Sequence, residues 1–302
     1  MTLFDQLASL STESVNPRTA GIDMLPAREI VELLNAEDSL VARAVHDELD
    51  HVARAAQLVA DAFVQGGRLF YVGAGTSGRL GVVDASECPP TYGVPPSMVQ
   101  AIMAGGPAAV FQSVEGAEDS REEGSKAIRD NGVQAADVVC GIAASGRTPF
   151  VLAALAEARR LGCRTLLVST NDRKTVEGFA PAVDVLICPH VGPEATTGST
   201  RMKSGTAQKM VLNMITTTAR VLIGKTYGNL MVDLQLTNEK LRERAKRIVM
   251  TIGDVTYEGA TSLLEAAGGK VKTALVMVLT GRSREESEEE LKKSKGKVRS
   301  EK

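Results

Sequence analysis

Five short apolar runs, separated by helical stretches, constrain the fold of this chain more than any other feature. The runs are Arg68–Val72, Met98–Met103, Val138–Ala143, Thr165–Ser169 and Val183–Cys188. Strands that are apolar throughout are buried on both faces, which is typical of a parallel sheet covered by helices on each side. The clearest intervening helix is Pro149–Leu161, whose apolar residues recur at helical spacing. The sequence therefore predicts an α/β fold built on a parallel sheet.

Helical patterns flank the predicted sheet on both sides. One amphipathic helix is predicted over about residues 40–65, and a long helix over Arg201–Ile223, where Thr197–Thr200 offer capping hydroxyls. Beyond Gly224 the strand signals cease, and three helices are predicted, over Asn238–Thr251, Tyr257–Ala267 and Val271–Leu279. We therefore divide the chain into an N-terminal helical arm (1–58), an α/β domain (59–224), a small helical C-terminal domain (225–282) and a solvated, charged tail (283–302).

A glycine-rich loop follows the first predicted strand. Its residues from Gly75 to Gly78 let the backbone turn sharply into a helix, whose first N–H groups are free to bind an anion. Thr76 and Ser77 add hydroxyl donors, so all four residues are candidate ligands of a phosphate monoester. The loop lacks the Lys of a Walker motif. Its spacing resembles a dinucleotide fingerprint, but the acidic residue that would bind the ribose is missing after the next strand. A dinucleotide site and a merely structural turn are the two alternatives to a phosphate site.

Two further hydroxyl clusters stand at predicted strand ends. Ser145, Gly146 and Thr148 follow the third strand, and Ser199 lies in a Thr- and Ser-rich segment before the long helix. Ligands of open α/β sheets bind at the carboxyl ends of the strands, so these residues are candidates for the same cradle. The alternative is that Ser145 and Thr148 cap the next helix. Neutral donors of this kind suit a phosphorylated sugar better than a nucleotide.

Composition excludes several other classes of ligand. Thirty-five basic residues against 37 acidic ones give a net charge of -2, so the basic surface of a nucleic-acid-binding protein is missing. Aromatic residues make up 3% of the chain and Trp is absent, which argues against base- or sugar-stacking platforms. The four cysteines are far apart and the three histidines lack metal-ligand spacing, so we expect no disulfide, no metal and a reducing cytoplasm. The first residues lack the pattern of a secretory signal, and no apolar run reaches membrane-spanning length.

Acidic residues occur in two segments that are candidates for proton transfer. Asp84 and Glu87 lie in one, and Glu115, Glu118 and Asp119 lie in the other. Removing a proton from a carbon beside a carbonyl requires a base near the ligand, and a departing oxygen requires an acid. The residues themselves do not rank these five carboxyl groups. The alternative is that they are solvated or cap helices.

Several long segments resemble the N-acetylmuramic acid 6-phosphate etherase family. They comprise residues 72–81, 84–93, 114–121, 141–149, 197–209 and 228–233, and the likeness extends from about residue 10 to 280. The resemblance implies the sugar isomerase (SIS) fold, a Rossmann-like three-layer sandwich with a parallel sheet, followed by a small helical domain. Residues 59–224 would then form a phosphosugar-binding SIS domain.

The resemblance also implies a reaction. The protein would cleave the D-lactyl ether of N-acetylmuramic acid 6-phosphate to give N-acetylglucosamine 6-phosphate and D-lactate. The resemblance implies that this reaction needs no metal or organic cofactor and that it serves the recycling of cell-wall amino sugars. Mapped by motif, Glu118 would be the base at C2 of the ring-opened sugar, and Glu87 the acid that protonates the departing lactate. Alternatives of the same fold are a non-catalytic phosphosugar-sensing regulator and an aldose–ketose isomerase. A sensor often carries an added DNA-binding domain, which is not visible in this sequence.

The spacing of two candidate residues predicts a homodimer. A helix from Ser77 to Glu87 would rise by roughly 15 Å, which exceeds the length of a hexose 6-phosphate. A site within one subunit would require the chain to turn back. We therefore expect a symmetric dimer in which the second subunit supplies at least one residue of the site.

Overall fold

The computed structural model describes residues 10–178, 180–234, 236 and 239–299. Residues 1–9 of the predicted arm, Asn238 at the start of a predicted helix, and residues 300–302 of the predicted tail lie outside these ranges. By its internal contacts the chain divides into two units. The first comprises the chain up to Ser86 together with Ser97–Thr216, and the second comprises Glu87–Pro96 together with the chain from Thr217 onward.

Within the described residues, three α-helices precede the sheet: α1 (Ala27–Asp38), α2 (Val41–His46) and α3 (Leu49–Val64). The single helix predicted over 40–65 is therefore wrong, because it is broken between His46 and Leu49. Glu48 lies at the break, and its carboxylate accepts hydrogen bonds from the Cys188 backbone N–H at 3.0 Å and from Arg173 Nη2 at 2.7 Å. These bonds to residues distant in sequence hold Glu48 outside helical geometry, and no local pattern signals them.

The sheet consists of five parallel strands in the order β2-β1-β3-β4-β5. The strands are β1 (Leu69–Gly73), β2 (Val99–Met103), β3 (Val138–Ile142), β4 (Arg164–Val168) and β5 (Val185–Ile187). All five predicted strands are present, and the predicted parallel sheet is confirmed. The chain adds strands to one side of β1 and then to the other, so the order reverses between β1 and β3.

Helices cover both faces of this sheet, which confirms the three-layer α/β fold. They are α4 (Gly75–Tyr92), α5 (Arg121–Asp130), α6 (Pro149–Arg160), α7 (Arg173–Glu177) and α8 (Lys203–Leu222). Phe70 of β1 faces a core that contains Ile128 of α5 and Leu155 of α6. Its neighbour Tyr71 points to the opposite face, where its hydroxyl donates to Asp84 of α4 at 2.9 Å. Adjacent residues of one strand thus serve two cores, which explains why the runs are apolar throughout.

The C-terminal region has its own apolar core. It contains β6 (Thr226–Tyr227), β7 (Leu230–Met231), α9 (Glu239–Gly253), α10 (Tyr257–Ala266), α11 (Val271–Thr280) and α12 (Arg284–Lys293). Val249, Leu264 and Leu275, from three of these helices, pack in one buried cluster. The helical character predicted for this region is confirmed. The prediction that strands cease after Gly224 is wrong, because β6 and β7 form an antiparallel hairpin that is too short to give a period-two pattern.

The predicted charged tail contains the helix α12. Ser283 caps this helix: its hydroxyl accepts from the Glu286 N–H at 3.3 Å, and the Glu286 carboxylate accepts from the Ser283 N–H at 2.9 Å. Ser287 is fully buried, so this part of the tail packs against protein instead of being solvated throughout.

The four-part division of the chain stays a prediction. None of the helices in the described ranges combines the length and apolar character that a membrane span needs.

Candidate functional site

The two hydroxyl-bearing loops predicted after β1 and β3 start at neighbouring positions. Gly73, the last residue of β1, pairs with Ile142, the last residue of β3. This is the point at which the strand order reverses, and in open α/β sheets ligands bind in the crevice there, outside the carboxyl ends of the strands. The fold therefore brings the first two candidate clusters to the same part of one edge.

The loop after β1 is held by a close approach between strand and helix. A Cβ atom added to Gly78 would lie 2.8 Å from the Gly73 carbonyl oxygen, and one added to Gly73 would lie 2.6 Å from the Gly78 nitrogen. Gly75 has a φ of 52°, in the left-handed region that glycine tolerates. As a result α4 begins only two residues after β1 ends, and its N-terminus, with the partial positive charge of a helix start, lies at the sheet edge.

The hydroxyls of this loop contact helix α8. Ser77 is 8% exposed, and its Oγ lies 2.9 Å from Oε1 of Gln208, which is fully buried. Thr76 is half-buried and lies beside Gly205, where an added Cβ would be 3.4 Å from Thr76 Cγ2. Sequence reasoning missed Gln208 as a partner of Ser77, although Gln208 lies in one of the segments that carry the family resemblance.

The loop after β3 is held within its own turn and by residues that follow β4: the Ser169 and Thr170 hydroxyls donate to the Ala144 carbonyl at 3.0 Å and 3.2 Å. Ser145 is half-buried, and its Oγ accepts from the Arg147 N–H at 3.3 Å. Gly146 has a φ of 75°, and an added Cβ would lie 2.9 Å from Val176 Cγ1. Thr148 is the N-cap residue of α6, but its side chain makes no capping hydrogen bond. The capping alternative is therefore wrong for Thr148, and Ser145 bonds within its own turn.

The third candidate, Ser199, is half-buried in the segment before α8. The carboxylate of Glu194 caps that helix, because it accepts from the backbone N–H groups of Lys203 at 3.0 Å and Ser204 at 2.9 Å. The prediction that hydroxyls of Thr197–Thr200 cap the helix is therefore wrong. A buried carboxylate supplies the same hydrogen bonds together with a favourable charge at the helix start.

A buried ionic cluster anchors this segment to the N-terminal arm. Lys203 Nζ, which is fully buried, donates to Glu37 at 2.7 Å, and Asn16 Nδ2 donates to Glu37 at 2.8 Å and to the Pro193 carbonyl at 3.2 Å. Hydrogen bonds from Arg18, then from Lys203 and Asn16, lower the pKa of Glu37 from 4.5 to about 2. Sequence reasoning missed this cluster. The only feature of the sequence that pointed to the arm was that the family resemblance begins at about residue 10 and so includes it.

One acidic segment lies in the same cleft as the loop after β1. Glu118, on the short 3-10 helix Ala117–Asp119, and Glu115 line a cleft of about 310 Å³ together with Gly75 and Arg79. Both glutamates are exposed. The structure thus brings together a predicted phosphate-loop residue and the predicted base, and Asp119 is not among the residues that line this cleft.

Arg79 is a second residue that sequence reasoning did not assign. Its Nε donates to the Val110 carbonyl at 2.8 Å, and its Nη2 donates to the Ala109 carbonyl at 2.9 Å. The guanidinium therefore fixes the segment that leads from β2 to Glu118, and it places a positive charge in a cleft that holds two carboxylates.

The other acidic segment is divided between the two units. Asp84 is buried and accepts from Tyr71 at 2.9 Å and from Thr216 Oγ1 at 3.3 Å, so it serves the interior of the first unit. Glu87, the predicted acid, is exposed on α4 and belongs to the second unit. The continuous helix predicted from Ser77 to Glu87 is present as part of α4.

Comparison with curated proteins gives close relatives over nearly the whole chain. A protein of Salinibacter ruber is 55% identical over 298 residues, which cover 98% of this chain and 95% of that protein. A protein of Symbiobacterium thermophilum is 55% identical over 276 residues, which cover 91% of each. Both are named N-acetylmuramic acid 6-phosphate etherase.

Two further comparisons concern the α/β unit. Residues 51–159 match the family described as glucokinase regulatory protein N-terminal SIS domain. Among solved structures, the phosphoheptose isomerase of Neisseria gonorrhoeae aligns with a TM-score of 0.49 and 18% sequence identity, over 65% of this chain and 98% of that one.

Proposed function

This chain belongs to the N-acetylmuramic acid 6-phosphate etherase family, and we propose that it cleaves the D-lactyl ether bond of that sugar phosphate to give N-acetylglucosamine 6-phosphate and D-lactate. The observation that carries the proposal is the cleft shared by Gly75, Glu115 and Glu118. It supplies a helix N-terminus for a phosphate group and carboxylates for proton transfer within one space. In the cell, this reaction would recycle amino sugars of the cell wall.

The phosphate group is held by the first loop. In the proposed complex the N–H groups at the start of α4 and the hydroxyls of Thr76 and Ser77 donate to its oxygens, with Gly75 and Gly78 allowing close approach. Ser145, Gly146 and Thr148, which follow the neighbouring strand, and Ser199 provide further donors for phosphate and sugar. These neutral donors suit a phosphate monoester on a small sugar.

The chemistry is an elimination followed by a hydration. In the ring-opened sugar, the C1 aldehyde acidifies the proton on C2, and the Glu118 carboxylate removes it. The electron pair left on C2 forms a C2–C3 double bond as the C3–O bond breaks, and Glu87 protonates the departing lactate oxygen. Water then adds to C3 of the unsaturated aldehyde, and C2 regains a proton, which gives N-acetylglucosamine 6-phosphate.

Isotope labelling tests this route. Purified protein is incubated with N-acetylmuramic acid 6-phosphate in ¹⁸O water, and lactate release is measured together with the position of the label. We expect the label at C3 of the product sugar. Folded protein that binds the sugar phosphate but releases no lactate would refute the proposal and favour a sensor.

Variants in the acidic segment test the role of Glu118. Glu118→Gln should reduce lactate release and the exchange of the C2 proton with solvent by about 100-fold or more while phosphate binding survives, because loss of a general base costs about 10²–10⁴ in rate. Asp119→Asn is the matched control, since Asp119 is adjacent but does not line the cleft. If Glu115→Gln alone abolished exchange, the base would have to be reassigned to Glu115.

A homodimer whose second subunit supplies Glu87 or the phosphate loop is part of the proposal. It is supported by the continuous α4, along which Ser77 and Glu87 are separated by ten residues and hence by roughly 15 Å. Mixing two inactive variants, Ser77→Asp and Glu87→Gln, should restore activity in heterodimers, because one of the two sites would then be intact. Absence of complementation after demonstrated subunit exchange would contradict shared sites.

A cytoplasmic location is also proposed. Its support is that Cys88, Cys140, Cys163 and Cys188 are buried and form no disulfide, as suits a reducing compartment. Burial raises the pKa of the Cys163 thiol to about 11, which keeps it protonated and unreactive. Fractionation of cells, with detection of the untagged protein, tests this location; recovery outside the cytoplasm would refute it.

A further inference from the structure

Ser77 contacts a buried glutamine to which the proposed function gives no role. Ser77 Oγ lies 2.9 Å from Gln208 Oε1. The other end of the same amide, Nε2, has no hydrogen-bond partner within the described part of the chain, although Gln208 is fully buried. A buried donor without a partner costs about 1–3 kcal/mol, so its persistence beside a binding loop requires an explanation.

The number of protons on these groups limits what Ser77 can do. A serine hydroxyl carries one hydrogen, and in this arrangement it is directed to Gln208 Oε1. A phosphate dianion accepts hydrogen bonds and donates none. Ser77 therefore cannot donate to a bound phosphate while it donates to Gln208.

The glutamine itself can remove this conflict. A half-turn of its terminal amide exchanges oxygen and NH₂ at almost no steric cost. Nε2 then donates to Ser77 Oγ, Oε1 moves to the position that Nε2 held, and the Ser77 hydrogen is released toward the ligand. The same contact of 2.9 Å serves both arrangements.

We propose that Gln208 is a positioning residue that donates to Ser77 Oγ in the ligand-bound state and so directs the Ser77 O–H to the phosphate. The inference deepens the proposed function, since it rests on Ser77 as a phosphate ligand. It explains why an amide, which both donates and accepts, stands at this position. In this role Gln208 makes the first loop favour a ligand that presents a hydrogen-bond acceptor to Ser77.

Two substitutions distinguish this role from a structural one. Burial raises the pKa of a carboxyl at this position, so the Gln208→Glu variant is assayed above that pKa, where its side chain only accepts and holds the Ser77 hydrogen away from the ligand. There we expect KM to rise about ten- to hundredfold, with kcat changing less than about threefold. Gln208→Met is similar in size and leaves the Ser77 hydrogen free, so its KM should rise less than about fivefold. Ser204→Ala, one helical turn away on α8, is the matched control, because the buried Ser204 Oγ also has no partner in the described ranges.

The Ser77→Ala background separates orientation from charge repulsion. If Gln208→Glu acts through the Ser77 hydroxyl, its effect on KM should fall below about threefold once that hydroxyl is removed. An equal effect in both backgrounds would mean that the new carboxylate only repels phosphate, and it would overturn the inference. A Gln208→Met variant at least as impaired as Gln208→Glu would overturn it as well.

Side-chain amide NMR of the unmodified enzyme gives a second test that does not depend on a foldable variant. Addition of N-acetylglucosamine 6-phosphate should shift the Gln208 Nε2–H resonances, and N-acetylglucosamine at the same concentration should not. Unshifted Gln208 resonances at saturating sugar phosphate would refute the inference. Lactate release by the wild-type protein is measured first: its absence refutes the proposed function, whereas its presence with unshifted resonances refutes only the role of Gln208.

Discussion

The loop after β1 and the segment before α8 both carry candidate ligands of the phosphosugar, but they are held in opposite ways. Neutral contacts hold the first, through the approach of Gly78 to Gly73 and the bond from Ser77 to Gln208. Buried charges hold the second, through Lys203 and Glu37. We call the first set of contacts the neutral anchor and the second the charged anchor. The neutral anchor depends on shape and is insensitive to pH, whereas the charged anchor is a buried ion pair and depends on both partners keeping their charges.

The charged anchor should give the largest effect when it is broken. Glu37→Gln would leave Lys203 fully buried without a carboxylate, and loss of one member of a buried pair costs about 3–5 kcal/mol. Urea unfolding of this variant measures the loss. Glu32→Gln is the control, because its pair with Arg28 is exposed and should be worth less than about 1 kcal/mol. Equal losses in the two variants would show that the cluster is not an anchor.

Acid should give the next largest loss of stability, because it weakens the same anchor. The pKa of Glu37 is lowered from 4.5 to about 2, first by the Arg18 hydrogen bond and then by those from Lys203 and Asn16. A group whose pKa is lower in the folded state stabilises the fold above its unfolded pKa, and this stabilisation is lost as pH falls through the folded value. Stability contributed by Glu37 should therefore decline between pH 4.5 and about 2. Chemical denaturation across this range should give a flatter profile for Glu37→Gln, and parallel profiles would contradict the assignment.

The neutral anchor should give an intermediate effect. A methyl group at Gly78 would lie 2.8 Å from the Gly73 carbonyl oxygen, which is backbone and cannot turn aside. We expect Gly78→Ala to cost about 1–3 kcal/mol and to weaken binding of N-acetylglucosamine 6-phosphate, because the start of α4 must shift. Thermal unfolding and calorimetric titration measure the two effects. Gly21→Ala is the control, since nothing lies within 4 Å of the added atom. Unchanged affinity in Gly78→Ala would show that close approach is not needed for binding.

The two anchors also differ in how far they could be predicted. Glycine spacing after an apolar run is a local signal, so the turn into α4 and the strand before it follow from the sequence. Glu37 and Lys203 are 166 positions apart, and Ser77 and Gln208 are 131 apart, so no window of sequence relates them. The break at Glu48 has the same cause, because its partner Arg173 is 125 positions away. Patterns thus predicted the sheet and which loops meet at its edge, and they missed the partners that hold those loops.

Thr148 should give the smallest effect on stability, and it tests the second hydroxyl loop. An N-cap side chain is usually worth about 1 kcal/mol, but the Thr148 side chain makes no capping bond. Thr148→Val should therefore change the free energy of unfolding by less than about 0.5 kcal/mol while raising KM. Ser120→Ala is the matched control: Ser120 caps α5 by accepting from the Glu123 N–H at 3.2 Å, so its loss should cost about 1 kcal/mol and leave KM unchanged. A Thr148→Val variant that lost stability but kept its KM would mean that Thr148 serves the fold, and that the loop after β1 binds the phosphate without it.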